Sequence, residues 1–460
     1  MIGLLGLVLS LVALMYLAYR GVNVIVLAPL CALFALLFQA EAYVATGLPL
    51  AYYTQVFMVA LGKYVMKYFP IFILGAIFGK LMDDTGAARV IGETISRKLG
   101  SKHAILACVM AASILTYGGV SLFVVAFCVF PISLTLFARA GVEKRFIPAC
   151  IALGSFTFTM SALPGSPAIP NALPMPYFGT TTYAAPGLGI IGSIIILGLG
   201  VAWLKYRSAK STLAATDAYV EELSGKLPSF ALSIAPLLLV MILNFVLSEL
   251  VMDKWVAGYL GEAKFGGIEL KSIKGLWAII TSLTVAIIFI IATMRKYHSN
   301  MIESVNKGTM GSFLPIFNTS SEVGYGAVIA SLASFAILRD IVMGIAPGNP
   351  IISEAIAINA LAGITGSASG GLSIGLEVLG AKYMESALAL NISPELLHRV
   401  AAMSSGGLDA LPHNGAVISL LAICGMTHKD SYFDIFMVAT TFTVLATAVV
   451  VVLGTMFGSF

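Results

Sequence analysis

The sequence predicts an all-α polytopic membrane protein made of two inverted-topology repeats. Each repeat is expected to hold five transmembrane helices, a re-entrant helical hairpin and a broken helix. Three observations predict this fold class. The composition is too apolar for water, the apolar runs have the length of membrane spans, and short strings recur in order along the chain.

The composition excludes an ordinary water-soluble domain. Of the 460 residues, 59% are hydrophobic and 10% are charged, and the mean hydropathy is +0.98. Soluble domains average about 45–50% apolar and about 25% charged residues. The lipid bilayer is therefore the expected solvent. The net charge of +4 is small and the basic residues fall between apolar runs, which is typical of cytoplasmic loops and predicts no nucleic-acid partner.

The cysteines predict neither a disulfide framework nor a zinc site. All five lie inside apolar runs without a Cys-x-x-Cys pair: Cys31, Cys108, Cys128, Cys150 and Cys424. We interpret them as small core residues and expect no metal ion and no cofactor. The first apolar run, 2–19, lacks a basic start and a small-residue cleavage site, so we interpret it as a retained membrane helix.

Ten apolar runs are predicted to cross the membrane, which takes about 20 apolar residues per helix. They are 2–19, 22–40, 54–82, 146–178 (interrupted), 187–204, 228–251, 275–294, 309–336, 396–424 (interrupted) and 433–458. Two further stretches, 104–137 and 351–390, carry a glycine pair in their middle. Each half of these stretches is short for a crossing, so we interpret each stretch as a re-entrant hairpin. Two thin full crossings per stretch are the alternative.

The basic residues orient these spans. Most lysines and arginines of the first half can face the cytoplasm if hairpin 104–137 enters and leaves from that side. In the second half, Arg295, Lys296 and Lys429 fall on the same side. Both termini are then outside. An odd number of crossings inverts the second half, so the first hairpin opens inward and the second opens outward.

Three short strings recur in the same order and indicate an internal repeat. FPIF at 69–72 recurs as LPIF at 314–317, YGGVS at 117–121 as SGGLS at 369–373, and SALP at 161–164 as DALP at 409–412. The predicted halves are residues 1–210 and 228–460, joined by a polar linker at 211–227. Inverted repeats with broken helices are typical of secondary transporters.

Prolines and glycines interrupt one helix in each half, at 161–171 and 404–415. Each proline removes a backbone donor and clashes with the preceding turn. The freed N–H groups suit a substrate carboxylate, and small residues at the hairpin tips allow close approach. A plain proline kink and tight packing of small residues are the alternatives. The predicted substrate-binding residues are Thr116, Gly118, Gly119, Ser121, Ser161, Gly165, Ser166, Asn171, Thr365, Ser367, Ser369, Gly370, Gly371, Ser404, Ser405, His413 and Asn414.

Ionisable residues inside a membrane are costly and are candidates for function. We predict that Asp409, His413 and Glu322 carry a coupling proton, because a buried carboxylate or a histidine can change charge in the working pH range. An interfacial, snorkelling position is preferred for Lys63, Lys67 and Glu377. No nucleophile, phosphate-binding loop or metal-ligand cluster accompanies the acids, so the sequence does not predict an enzyme.

At these residues the chain resembles the gluconate permease (GntP) family, within the ion-transporter superfamily. The resemblance covers nearly the full length and is carried by 69–79, 116–121, 161–171, 363–375 and 404–415. The run 404–427 looks closest to members that carry 3-hydroxybutyrate. The resemblance implies proton-coupled uptake of small monocarboxylates such as gluconate, 3-hydroxybutyrate, D-serine or lactate. It also implies a scaffold, a moving (elevator) transport domain and a homodimer in the bacterial inner membrane.

One stretch departs from the family pattern. Residues 318–322 read Asn-Thr-Ser-Ser-Glu, where gluconate carriers are expected to be richer in glycine. This departure argues against gluconate itself. The expected function is a proton symporter for a small organic monocarboxylate. A sodium-coupled carboxylate or amino-acid carrier, an ion channel and a membrane enzyme are the alternatives.

Overall fold

Helices form most of the part of the chain that the structure describes. The structure is a computed structural model that describes residues 2–20, 22–39, 47–120, 122–210, 226–298, 300–346, 348–412 and 414–460. No β-strand occurs in these ranges. Most of the predicted linker, 211–225, lies outside them, as do Ser121 and His413 among the predicted site residues.

In its described residues, the first half contains eleven α-helices. They are α1 (Ile2–Tyr19), α2 (Val24–Leu36), α3 (Leu48–Asp84), α4 (Ala87–Leu99), α5 (Ala104–Tyr117), α6 (Leu122–Ala140), α7 (Ile147–Ser155), α8 (Phe158–Ser161), α9 (Ile169–Ala172), α10 (Met175–Phe178) and α11 (Pro186–Ala209). Helices α5 and α6 pack against each other and form hairpin 1. Residues 162–168, between α8 and α9, are break 1. These elements occupy the predicted hairpin and the first predicted interrupted span.

The second half follows the same order in its described part. It contains α12 (Phe230–Val251), α13 (Lys274–Thr293), α14 (Met301–Ser331), α15 (Phe335–Met343), α16 (Pro350–Thr365), α17 (Ala368–Ala389), α18 (Pro394–Ser405), α19 (Gly415–Ile423) and α20 (His428–Phe457). Helices α16 and α17 pair as hairpin 2. Break 2 is residues 406–414, without His413.

Within the described residues, five helices are long and apolar enough to cross a bilayer: α3, α11, α12, α13 and α20. Shorter apolar helices include Ile2–Leu14, Val24–Leu36 and Pro350–Thr365. Every predicted span contains a helix, with boundaries shifted by a few residues. The largest shift is in α14, which begins at Met301 rather than 309 and ends at Ser331 because the backbone at Leu332 is extended.

Two short helices were not predicted. Helix α4 follows α3 and precedes hairpin 1, and α15 holds the matching place before hairpin 2. The axis of α4 makes an angle of 102° with the segment that enters hairpin 1. Both helices carry apolar residues on one face and polar residues on the other, which suits an element lying along an interface rather than crossing it.

The pair α3 and α14 forms the surface on which the hairpin tips lie. The two helices pack closely, and a β-carbon at Gly308 would lie 2.7 Å from the Ile77 Cα atom. Such close approach of backbones is typical of helix pairs in membranes. Helix α14 also packs along α17 of hairpin 2. The pair of α3 and α14 therefore borders elements from both halves.

Candidate functional site

The two broken helices contain the same hydrogen bond. Asn171 Nδ2 donates to the carbonyl oxygen of Ser166 at 2.9 Å, and Asn414 Nδ2 donates to that of Asp409 at 2.8 Å. Each bond reaches five residues back along the chain. This recurrence pairs Asp409 with Ser166, whereas the sequence strings pair it with Ser161. The asymmetry between acid and serine is the same in either pairing.

The two breaks lie against each other. A β-carbon built on Gly406 would lie 3.4 Å from Ser161 Oγ. The hydroxyl of Ser161 donates to the carbonyl oxygen of Thr157 at 3.2 Å. Its own carbonyl oxygen accepts a hydrogen bond from Arg399 Nη1 at 2.8 Å. The structure thus places Ser161, a predicted site residue of the first half, against break 2 of the second half.

Arg399 lies on α18, the helix before break 2, and bonds to residues on both sides of break 1. This arginine was not predicted as a site residue from the sequence. Its side chain, on α18, is fully buried. Besides Ser161, the guanidinium donates to Asn171 Oδ1 at 3.0 Å and to the carbonyl oxygens of Thr182 and Ala184. A buried charge needs such partners, because an unpaired one costs several kcal/mol. An arginine within a predicted membrane span is the signal that would have identified it.

His398 completes this network. One ring nitrogen, Nδ1, lies 2.6 Å from Thr180 Oγ1, and the other, Nε2, lies 3.2 Å from Asn171 Oδ1. Asn171 Nδ2 also donates to the carbonyl oxygen of Thr182 at 3.1 Å. The polar atoms of Asn171 are therefore all bonded to protein groups. Any effect of Asn171 on a substrate acts through the shape of break 1.

Asn414 has a similar structural task at break 2. Its Oδ1 accepts from the backbone N–H groups of Ala416 and Val417 at 2.6 and 2.9 Å, which caps α19. In break 1, Gly165 has a φ of +82°, a conformation that favours glycine. Ser166 Oγ accepts from the backbone N–H of Ala168 at 3.4 Å. These predicted site residues hold the irregular backbone in place.

A cavity of about 400 Å³ lies at the tip of hairpin 1. Its polar lining is Lys80, Thr116, Lys307 and Ser312, and the rest is apolar or glycine. The lining comes from α3, α14, the hairpin tip and break 1: Ile71, Phe72, Gly75, Ala76, Gly119, Val120, Leu122, Met160, Pro167, Ala168, Ile169, Leu283, Gly308, Gly311 and Pro315. The buried Thr116 Oγ1 has no hydrogen-bond partner. Gly118, by contrast, packs against Leu237 of α12.

Two lysines stand where this cavity meets the helix ends. Lys80 is half-buried, and its Nζ lies 2.6 Å from Asp84 Oδ1 and 3.3 Å from Asp83 Oδ2. Lys307 is exposed and pairs with Glu303 at 2.7 Å. An exposed pair such as Lys307–Glu303 is weak, so the Lys307 ammonium group can be shared with an anion.

The tip of hairpin 2 is packed instead on α14. Gly370 lies so close to the Glu322 carboxylate that a β-carbon there would overlap it. Ser369 Oγ lies 3.4 Å from Thr319 Oγ1 on the same helix. Glu322 is buried, and its Oε2 has no hydrogen-bond partner. The contact joins a predicted coupling residue to a predicted substrate-binding tip.

The other tip residues of hairpin 2 stabilise the hairpin itself. Ser367 Oγ accepts from the Gly370 N–H at 3.1 Å and caps α17. Thr365 Oγ1 donates to the carbonyl oxygen of Leu361 at 2.9 Å. Gly371 packs against the backbone of α16, where any β-carbon would overlap Ala362. These residues keep the two helices of the hairpin close together.

Several buried oxygen atoms without partners lie in break 2 or on helices that lead to it or contact it. They belong to break 2, α18, hairpin 2 and α20: Asp409 Oδ1, Ser404 Oγ, Asn359 Oδ1, Thr440 Oγ1 and Thr443 Oγ1. Asn359 Oδ1 occupies the place of a β-carbon at Gly407, and Thr443 Cγ2 lies 3.8 Å from that of Gly406. Ser405 Oγ, in contrast, donates to the carbonyl oxygen of Ala402 at 2.7 Å. Unsatisfied buried oxygens are the mark of a polar site rather than of plain packing.

Among the described residues, no three His, Cys, Asp or Glu side chains converge as metal ligands. The ligand chemistry of this site is therefore that of hydroxyls, amides, two single carboxylates and backbone groups. Such groups can bind an organic anion, a proton or a hard cation.

Comparisons with known proteins agree with this architecture. The sequence profile of the GntP family permeases matches residues 2–359 of this chain. An uncharacterized transporter, YxjC of Bacillus subtilis (strain 168), is 41% identical over 468 residues, covering 96% of this chain and 97% of the relative. An uncharacterized transporter of Haemophilus influenzae is 34% identical over 191 residues, covering 41% of this chain and 44% of the relative.

Two solved transporters share the fold at low sequence identity. The YdaH transporter of Alcanivorax borkumensis has a TM-score of 0.56 at 14% identity, covering 87% of this chain and 89% of its own. MtrF of Neisseria gonorrhoeae has a TM-score of 0.52 at 12% identity, covering 86% and 83%.

Proposed function

Because the chain belongs to the GntP family of permeases, it is a multi-pass membrane transporter, and we propose that it imports a small organic monocarboxylate together with a proton. The family match confirms the resemblance found in the sequence. The observation that carries the substrate proposal is the cavity at hairpin 1, with its apolar wall and its two lysines.

The size and lining of this cavity favour a short acid. A volume of about 400 Å³ falls at the small end of ligand pockets, which hold about 300–1,000 Å³. The hydroxyls of a sugar acid would lose their water against the apolar wall and find few partners. A 3-hydroxybutyrate-like acid needs one hydroxyl partner, and Thr116, which lines the cavity, has a hydroxyl that is buried and bonded to no protein group. We therefore rank a short hydroxy acid above gluconate.

The coupling proton is assigned to the two described acids, with His413 as a third candidate from the sequence. Asp409 and Glu322 are buried, and each has one oxygen without a partner. Both acids belong to the second half. In the first half, a serine occupies the position in break 1 or beside it that corresponds to Asp409. A proton that neutralises such a group removes the cost of moving it through a non-polar environment.

The remaining parts of the proposal concern architecture. We infer two inverted halves, a homodimer in the bacterial inner membrane and a rigid movement of the hairpins and breaks against α3 and α14. The repeated order of elements and the shared Asn-to-carbonyl bond support the repeat. Cysteines placed at Gly141 and Ser393 should label from opposite membrane faces, and labelling from one face would remove the inverted arrangement.

Transport in proteoliposomes tests the substrate and the coupling ion. Purified protein should accumulate 3-hydroxybutyrate, and gluconate less, when only a pH gradient is imposed. Asp409→Asn should still exchange substrate across the membrane but should not accumulate it, because exchange needs no net proton movement. Asp430→Asn, at the exposed start of α20, is the matched control. Accumulation by Asp409→Asn, Glu322→Gln and His413→Gln at wild-type level would reject proton coupling through these residues.

A sodium-coupled carrier is the second candidate. The unpartnered oxygens of Ser404, Asn359, Thr440 and Thr443 are the neutral ligands that a hard cation uses. Accumulation driven by a sodium gradient at equal pH would favour it. High conductance without accumulation would instead indicate a channel.

A further inference from the structure

Glu354 is a fully buried acid that neither the breaks nor the hairpin tips account for. It lies on α16 of hairpin 2, one turn after the helix begins at Pro350. Its side chain has no exposed surface, and neither Oε1 nor Oε2 has a hydrogen-bond partner. Asp409 and Glu322, by comparison, each have a single oxygen in this condition.

An ionised carboxylate is not stable in such a place. Burial of an unpaired charge costs several kcal/mol, and the group binds a proton instead. Two other buried acids in the described part of the chain have a basic partner: Glu143 lies 2.9 Å from Arg145, and Asp434 contacts Trp203 and Arg207 at 2.9 and 3.1 Å. Glu354 therefore holds a proton while hairpin 2 is packed as in this structure.

The packing of a hairpin does not require an acid at this place. The corresponding helix of hairpin 1, α5, pairs with α6 in the same manner, and its sequence AILACVMAASILTY contains no carboxylate. An apolar residue would pack at Glu354 with less cost. The acid is thus a feature of the second half, which also contains Asp409 and Glu322.

The surroundings of Glu354 offer one titratable neighbour. Tyr383 on α17 interacts with it electrostatically, and the Tyr383 hydroxyl lies 3.3 Å from Ser353 Oγ. The other titratable groups on the helices packed against α16 have contacts elsewhere or are exposed. In the described part of the chain these include Glu377 (to Tyr177), Lys382 and Glu385 (to each other), Glu395, His398 and Arg399 (to residues 161–185), and the exposed Asp340 and Tyr16.

We propose that Glu354 is a proton-binding site inside hairpin 2, which loads and releases its proton only when the hairpin separates from its neighbours. This inference rests on the proposed proton symport and adds a second proton to it. The first proton belongs to the acids at break 2 and α14. The second proton moves with hairpin 2. Its site lies about one turn from the start of α16, at the end of the hairpin away from the tip.

Infrared spectroscopy of the full-length protein in lipid vesicles tests occupancy directly. A protonated carboxyl group absorbs at a different infrared frequency from an ionised carboxylate. The wild-type protein should show this absorption at neutral pH, and Glu354→Gln should lack its Glu354 component. Glu385→Gln, which removes an exposed acid of the same hairpin, should leave the absorption unchanged. An identical absorption in wild-type and Glu354→Gln overturns the assignment. If Glu354→Gln does not fold, Glu354→Asp should shift the absorption instead, and no shift has the same meaning.

The steady-state accumulation ratio tests the role in transport. With the membrane potential held at zero, each proton carried multiplies accumulation about tenfold per unit of pH gradient. The wild type should reach about 100-fold for one unit and Glu354→Gln about tenfold, with exchange retained. Equal ratios would reject a second carried proton. A wild type that accumulates nothing under a pH gradient would reject proton symport itself, while the infrared result still reports whether Glu354 is protonated.

Discussion

Hairpin 1 and hairpin 2 each consist of two paired helices, but their tips meet helices α3 and α14 differently. The tip of hairpin 1 borders a cavity of about 400 Å³ between itself, α3 and α14. The tip of hairpin 2 is packed on α14, with Gly370 against the Glu322 carboxylate. One related element is therefore open and the other closed in a single conformation. A carrier with alternating access needs this asymmetry, because opening at both tips would leave a continuous path.

The comparison also shows where the acids are placed. Thr116 and two lysines accompany the open tip, and Glu322 and Glu354 accompany the closed hairpin. A closed contact excludes water, so an ionised acid is costly there, whereas an open cavity leaves room for water beside its lysines. If the proposed symport is correct, the anion and the protons therefore bind at different hairpins. The predictions below test this division in order of decreasing effect.

The largest effect is expected at Arg399, which joins α18 to the residues around break 1. Arg399→Leu removes one donor from Asn171 Oδ1 and from the carbonyl oxygens of Ser161, Thr182 and Ala184. The expected loss of stability is about 3–5 kcal/mol. Thermal unfolding in detergent measures it.

Arg89→Leu provides the control for this loss. Arg89 is partly exposed and pairs with Glu93 one turn away, so its removal should cost less than about 1 kcal/mol. Equal destabilisation by the two substitutions would show that the breaks do not depend on Arg399.

Gly370→Ala should remove the difference between the two tips. The added methyl group overlaps Glu322, so the closed contact weakens by about 1–3 kcal/mol and hairpin 2 opens more often. A cysteine at Ser369 should then react with a water-soluble thiol reagent faster than in the Gly370 background. Gly415→Ala is the control, because nothing lies within 4 Å of the added carbon.

A second substitution sharpens this test. Glu322→Asp shortens the acid and makes room for the methyl group, so the double variant should recover part of the closed state. No recovery, together with unchanged reactivity in Gly370→Ala, would mean that the glycine contact does not hold hairpin 2 closed.

The sequence predicted the elements of this comparison better than their contacts. Span length, glycine pairs and prolines are local signals, and a helix or helix pair lies at each place where they predicted a span, a hairpin or a broken helix. The hydrogen bonds of Arg399 join residues more than 200 positions apart, so no local sequence pattern predicts them. Asn171 and Asn414 were predicted to face a substrate, and the structure uses their polar atoms on the backbone of the breaks. Helices α4 and α15 were missed because they are short and amphipathic.

Asn414→Ala should have a moderate effect that separates the two breaks. It removes the cap of α19 and the bond to the Asp409 carbonyl oxygen, at a cost of about 0.5–2 kcal/mol. Asn171→Ala should cost more, because it also strips partners from Arg399 and His398. Thermal unfolding ranks the two variants. A larger loss for Asn414→Ala would mean that break 1 is held without the Arg399 network.

The smallest effect is expected at the mouth of the open cavity. Lys307 is 63% exposed and shares its charge with Glu303, so its contribution to anion binding is about 0.2–1 kcal/mol. Lys307→Met should raise the KM for a carboxylate substrate by up to about fivefold at low salt. The increase should fade at high ionic strength, because exposed charges are screened within about 10 Å at 0.1 M salt. Lys264→Met is a matched control: Lys264 is 65% exposed and pairs with Glu262, but it lies in the loop between α12 and α13, away from the cavity. Equal, salt-independent KM changes in both variants would show that the hairpin 1 cavity is not where the anion enters. A salt-dependent change confined to Lys307 would place anion entry at the open tip of hairpin 1.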